Sequence, residues 1–268
     1  MSMLPKFGLN HMVCPSYSIK EFLTLSSQLG AQTVEFRNDV GDNSLTDLAS
    51  AQMAGQLANE LNIKVLSINA LYPFNVWNEE RAQQAREMAT LAKAAKAEGL
   101  VVCPLNDGNE VSFEDLKFAL SELAKILEEF DLKGFVEPLG FPISSLRSKR
   151  VALDAIDAVG QQDRFSLVHD TFHHKGAGED EFFPERTGLI HISGLEDDIT
   201  FNDMLDGDRV LVGPEDRLDN VEQLRTLLAA GYSGPVSFEP FSKKVWDLSN
   251  PKQAVQDSID FVNQSLAQ

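Results

Sequence analysis

Four apolar segments in the C-terminal half of the 268-residue chain each end on a side chain that can ligate a hard cation or carry a proton. They close on Glu137 (Phe-Val-Glu), Asp170 (Leu-Val-His-Asp), His191 (Leu-Ile-His) and Glu239 (Val-Ser-Phe-Glu). Side chains alternate between the two faces of a strand. Phe135 therefore shares a face with Glu137, Val168 with Asp170, Leu189 with His191, and Ser237 with Glu239. The other face carries Val136, Leu167, Ile190, Ile192, Val236 and Phe238, an apolar set suited to cover by helices. Three carboxylates and an imidazole turned to one mouth would be costly to bury unpaired, and one divalent cation resolves that repulsion. The donor set suits Mn2+ first, with Co2+, Mg2+ and Zn2+ open. An octahedral ion would keep two positions for a carbonyl and a neighbouring hydroxyl of one substrate. Taken singly, Asp170 reads as a turn cap, His191 as a hydrogen-bonded core residue, and Glu137 and Glu239 as rim carboxylates. The four on one face of consecutive strands favour the cation. His173 is expected near the substrate, His174 at the surface, and neither Cys14 nor Cys103 near the four.

The elements that must position these residues alternate along the whole chain. Strands are expected at 7–13, 32–37, 63–69, 100–105, 134–137, 165–170, 188–193 and 235–239. Helical periodicity covers 19–29, 45–61, 80–98, 113–130, 149–159, 221–230 and 251–266. Eight strands spaced by about thirty residues, in a length near the ~250 typical of the fold, predict one α/β domain over 1–268, a closed (β/α)8 barrel. No glycine-rich phosphate motif follows any strand, so nucleotide cofactors have no support. The irregular stretch 194–219 is long enough to expect a function. A net charge of −18 argues against nucleic-acid or anionic-membrane partners. Two cysteines exclude a disulfide framework, and no apolar run reaches the ~18 residues of a membrane span. With no signal-like N-terminus, a cytoplasmic protein is expected, a homodimer being left open.

With these residues in hand, the chain resembles the xylose-isomerase-like TIM-barrel superfamily of sugar isomerases and epimerases, and within it the inosose isomerases. The resemblance is carried by Ser67-Ile-Asn-Ala-Leu with Phe74-Asn75, Val136-Glu-Pro-Leu-Gly-Phe-Pro, and Leu167-Val-His-Asp-Thr-Phe-His-His. Ile190-His-Ile, Asp208-Arg-Val and Val236-Ser-Phe-Glu-Pro-Phe complete it. It implies metal ligation by Glu137, Asp170, His191 and Glu239, and substrate contacts by His173, Glu35, Arg37, Asn69 and Arg209. Two departures concern the loop: Ser193-Gly194 stands where relatives often carry an acidic residue, and Val212-Gly-Pro-Glu replaces Pro-Gly-x-Gly.

The implied reaction is proton abstraction beside a carbonyl, through an enediolate, with a cation as Lewis acid and Glu137 and Glu239 as base and acid. The acidic loop after the seventh strand favours a small neutral polyol or keto-cyclitol over a phosphorylated sugar, and the resemblance to inosose isomerases implies the interconversion of 2-keto-myo-inositol and 1-keto-D-chiro-inositol. Tyr72, Phe74, Trp77, Phe141, Phe172, Phe241 and Trp246 are expected to cover the ring, with Trp77 counted as a substrate contact. A ketose 3-epimerase, a hydroxypyruvate isomerase or a non-catalytic sugar-binding relative would use the same scaffold. An abasic-site endonuclease would need more histidines and a basic groove.

Overall fold

The apolar runs fold as eight strands in the computed structural model, which describes residues 5–268. They are β1 (Lys6–Asn10), β2 (Thr33–Arg37), β3 (Lys64–Leu71), β4 (Gly99–Val102), β5 (Lys133–Val136), β6 (Phe165–Asp170), β7 (Thr187–Ile192) and β8 (Pro235–Phe238). Every neighbouring pair is parallel, and β8 pairs with β1, so the sheet closes into a barrel. The intervening helices are α1 (Ile19–Gln28), α2 (Leu48–Glu60), α3 (Glu79–Ala94), α4 (Phe113–Phe130), α5 (Lys149–Ala158), α6 (Thr171–Ala177), α7 (Asn220–Ala229), α8 (Lys243–Trp246) and α9 (Pro251–Leu266). This is the (β/α)8 barrel that the alternation predicts.

Strand parity sorts the side chains as expected. Val136, Leu167, Ile190, Ile192, Val236 and Phe238 join the core between strands and helices. Leu66, Val101, Phe135, Val168 and Leu189 form a separate apolar plug inside the barrel, below the mouth. A register shift between Val34–Val65 and Glu35–Ser67 lets β3 contribute Leu66 to the plug and still send Ser67 and Asn69 to Glu35. The helices lie on this frame by amphipathic periodicity. On α4, Leu116, Leu120, Leu123 and Leu127 are buried, and Ser112 caps the first turn by accepting from the Asp115 amide.

Several boundaries differ from expectation: β1 ends at Asn10 rather than Val13, and α3 at Ala94 rather than Glu98. β4 ends at Val102 rather than Leu105 because Pro104 has no N–H for a further ladder bond. Residues 171–177, directly after β6, form a helix that periodicity does not reveal, being only two turns long. The four-residue α8 is equally silent in the sequence. Residues 194–219 are anchored by a few buried side chains. Leu195, Met204 and Leu218 close over Leu139, Phe141 and Phe172 at the barrel's C-terminal end.

Candidate functional site

The ends of β5 to β8 bring Glu137, Asp170, His191 and Glu239 together, all buried, with one potential ligand atom from each lying within 4.8 Å of the others. His191 Nδ1 lies 3.1 Å from Glu137 Oε1, 3.2 Å from Glu239 Oε2 and 3.9 Å from Asp170 Oδ2. The opposite nitrogen, Nε2, donates to Glu35 Oε1 at 3.1 Å. Glu35 is itself held by Ser67 Oγ at 2.7 Å and Asn69 Nδ2 at 2.9 Å. A carboxylate behind the ring fixes its orientation, and in the neutral imidazole it would leave Nδ1 as the nitrogen that can ligate an ion. Asp170 serves two ends at once. Its Oδ1 caps α6 by accepting from the His173 amide at 2.9 Å, while Oδ2 faces the cluster.

Four buried carboxylates, with Glu35 the fourth, meet two buried guanidiniums. Arg209 Nη2 donates to Asp170 Oδ2 at 2.6 Å and to Glu239 Oε2 at 3.0 Å. Arg37 Nη1 donates to Glu239 Oε1 at 2.7 Å, and Asn10 Nδ2 to the same oxygen at 3.0 Å. With His191 neutral, as ligation of an ion requires, two negative charges remain in excess. Burial alone would depress the His191 imidazole, but the carboxylates of Glu239, Glu35 and Glu137 outweigh it and hold its pKa well above the ordinary value. Burial would likewise raise Glu239, yet His191, Arg209 and Arg37 hold it well below the usual carboxylate range. Hard oxygen and imidazole donors around a −2 surplus fit a divalent cation.

Above this cluster is a cavity of about 220 Å³, lined among others by Arg37, Asn69, Tyr72, Cys103, Glu137, Phe141, His173, Arg209, Glu239 and Phe241. Of the expected substrate contacts, His173, Asn69, Arg37 and Arg209 line this cavity. Others do not. Glu35 is fully buried behind His191 and does not line the cavity. Trp77 lines a neighbouring groove with Val76, Val111 and Phe118. Phe74 and Phe172 are core residues with no exposed surface, so Tyr72, Phe141 and Phe241 are the expected aromatics that reach the cavity. Contrary to expectation, Cys103 touches the cluster, its Sγ 3.4 Å from Glu137 Oε2. Its thiol is held well above the usual range by burial and by Glu137. Asn10 also belongs to the site, and its one signal in the sequence is an asparagine in an otherwise apolar strand.

The sequence profile of the family described as xylose isomerase-like TIM barrel matches residues 23–265. The chain belongs to this family. A xylose isomerase domain containing protein of Salmonella typhimurium LT2 is 32% identical, with a TM-score of 0.90 over 98% of both chains. The inosose isomerase of Halalkalibacterium halodurans is 29% identical over 213 residues, 74% of each chain. An IolI protein, whose crystal structure holds a zinc atom, has a TM-score of 0.82 at 24% identity over 98% of both chains.

In this member of the xylose isomerase-like TIM barrel family, the strand–helix junction that carries Asp170 and His173 is braced from behind. The buried Lys149 Nζ lies 3.1 Å from His169 Nδ1 and 2.7 Å from His174 Nδ1, and 3.5 Å from Glu179 Oε2. His174 is thus buried rather than at the surface. Burial pushes the Lys149 ammonium down to about 8, with Glu179 opposing. Its folded pKa lies below the ~10.4 of an unfolded chain, so between those values the unfolded state binds more protons and stability rises with pH. Below about pH 8 the cost of the buried charge is fully present. From pH 7 to 9.5, wild type should gain on the order of 2 kcal/mol relative to Lys149→Met in urea unfolding. A pH-independent difference would show that Lys149 keeps an ordinary pKa.

Proposed function

We propose that the chain is a divalent-cation-dependent isomerase of a small neutral sugar or cyclitol, with 2-keto-myo-inositol and 1-keto-D-chiro-inositol as its substrate pair. The observation that carries this reading is the convergence of Glu137, Asp170, His191 and Glu239 at the C-terminal face of the barrel, where enzymes of this fold place their chemistry. The similarity to inosose isomerases supports the substrate class. Those four residues would hold the ion, Mn2+, Co2+, Mg2+ and Zn2+ all suiting the donors, and zinc being the ion in the IolI structure. When bound, the cation supplies Lewis-acid stabilisation of charge that develops beside the carbon losing its proton.

The protein's own groups do the rest. Glu137 and Glu239 come from β5 and β8 on different sides of the cavity and flank whatever lies in it. One carboxylate takes the proton from the hydroxyl-bearing carbon next to the ketone; the neighbouring hydroxyl gives up its proton as the old carbonyl oxygen gains one, and a proton returned to the former carbonyl carbon completes the shift. Tyr72, Phe141 and Phe241 shield the ring and exclude water, and His173 and Asn69 supply hydrogen bonds to its hydroxyls. The charge state of the substrate follows from the cations lining the cavity. Arg37 is taken up by Asp39 and Glu239, and Arg209 by Asp170, Asp206 and Glu239. Outside the cavity, Lys244 pairs with Asp197. A phosphate would meet no unengaged cation among the lining residues.

The test is carbon–hydrogen exchange. Pure protein with Mn2+ and 2-keto-myo-inositol in deuterated water should incorporate deuterium next to the ketone and form the isomeric inosose. Chelation should abolish both, and added Mn2+ should restore them. No exchange with any inosose or ketose would overturn the reading. Exchange with inverted configuration and an unmoved ketone would make the protein an epimerase.

A further inference from the structure

We infer that Cys103 is the positioning residue of Glu137: its S–H donates to Oε2 and leaves Oε1 as the oxygen presented to the cation cluster. The inference rests on the cation-site reading above. An ionised carboxylate has no proton to give, so the thiol must be the donor across the 3.4 Å contact. β4 aims the side chain there. Val101 lies in the interior plug, and Cys103, two residues on, stands in the same direction one layer higher, beside the end of β5.

The other acids of the site show why Glu137 needs such a partner. Glu239 has Asn10 and Arg37 on Oε1 and Arg209 on Oε2. Asp170 has the His173 amide on Oδ1 and Arg209 on Oδ2. Glu35 is pinned by Ser67 and Asn69. Glu137 has His191 on Oε1, and among the described residues Cys103 is the side chain that bonds Oε2. A carboxylate without it could swing both oxygens to the ion or turn away from it. Cys103 is not itself one of the converging ligands, which are the three acids and His191. It acts through Glu137.

Metal binding tests this without turnover. Mn2+ affinity is measured by competition with a chelator for wild type, Cys103→Ala and Cys103→Ser, with thermal melts of the metal-free proteins as a control on folding. Removing an outer-shell donor typically weakens metal binding 10–100-fold. Cys103→Ala should therefore lose about 10-fold or more, and Cys103→Ser, which keeps an O–H donor, should return to within a few-fold of wild type. Equal affinity in all three proteins would overturn the inference while leaving the cation site intact, as would Ser binding no better than Ala at unchanged melting. Co2+ substitution adds a spectroscopic arm. A thiolate-to-cobalt band that disappears in Cys103→Ser would make Cys103 a direct ligand and overturn the positioning role. Wild type that binds no Mn2+ would remove the cation site itself and the inference with it.

Discussion

Glu137→Gln is expected to lower kcat for inosose isomerisation by roughly 10²–10⁴-fold, the usual cost of losing a positioned acid or base. The substitution keeps volume and one carbonyl oxygen but removes both the charge and the ability to accept a proton from carbon. Glu137 lies 3.1 Å from His191 Nδ1 through Oε1 and lines the cavity, so in the proposed reaction one side chain would serve both the ion and the substrate. The variant should therefore lose Mn2+ affinity as well. Steady-state rates at saturating Mn2+ separate the two effects: restoration by metal alone would leave Glu137 a ligand with no part in proton transfer. A variant within tenfold of wild type at all metal concentrations would sink the assignment. Glu239→Gln should be comparably inactive for a partly different reason. Its carboxylate is the anchor on which Arg37, Arg209 and Asn10 converge, so the amide would misplace two guanidiniums as well.

The frame of this site is legible from sequence because the strand period of two is strict. Once Phe135, Val168 and Leu189 are assigned to the barrel interior, the direction of Glu137, Asp170 and His191 two residues later is fixed, whatever the exact strand ends. The same parity applied to Val101 would have found Cys103. Cys103 stands one residue beyond the end of β4, beside Glu137. Trp77 illustrates what local pattern does not carry. Asn75 Oδ1 accepts from the Leu105 amide at 2.8 Å and Asn75 Nδ2 donates to Ser145 at 3.0 Å. These bonds tie the loop after β3 to the next two loops and leave Trp77 in the neighbouring groove. Such contacts join residues 30 and 70 positions apart, and no periodicity registers them. The role of Lys149 is silent in the sequence for the same reason. In sequence it is a charged residue opening a helix, and its two imidazole partners lie 20 and 25 residues away.

Arg209→Met is expected to cost about 3–5 kcal/mol of stability in the metal-free protein, because it leaves buried carboxylates without their cation. Arg209 is almost completely buried, with Nε donating to Ser193 Oγ at 3.0 Å and Nη2 bridging Asp170 and Glu239. Its guanidinium also lies 5.0 Å from the Phe172 ring and 4.7 Å from that of Phe241. Methionine can keep some of this packing but none of the charge. The oxygens released, Asp170 Oδ2 and Glu239 Oε2, are the same two that face His191 Nδ1. A divalent cation there should recover part of the loss, so urea midpoints of variant and wild type should converge on adding Mn2+ and diverge with chelator. Arg209→Lys should not rescue, since a single ammonium cannot hold Ser193 and bridge two carboxylates in the plane of a guanidinium. A metal-free Arg209→Met protein within about 1 kcal/mol of wild type would mean that the acids of this site shed their charge by taking up protons, and do not rely on Arg209 to compensate it.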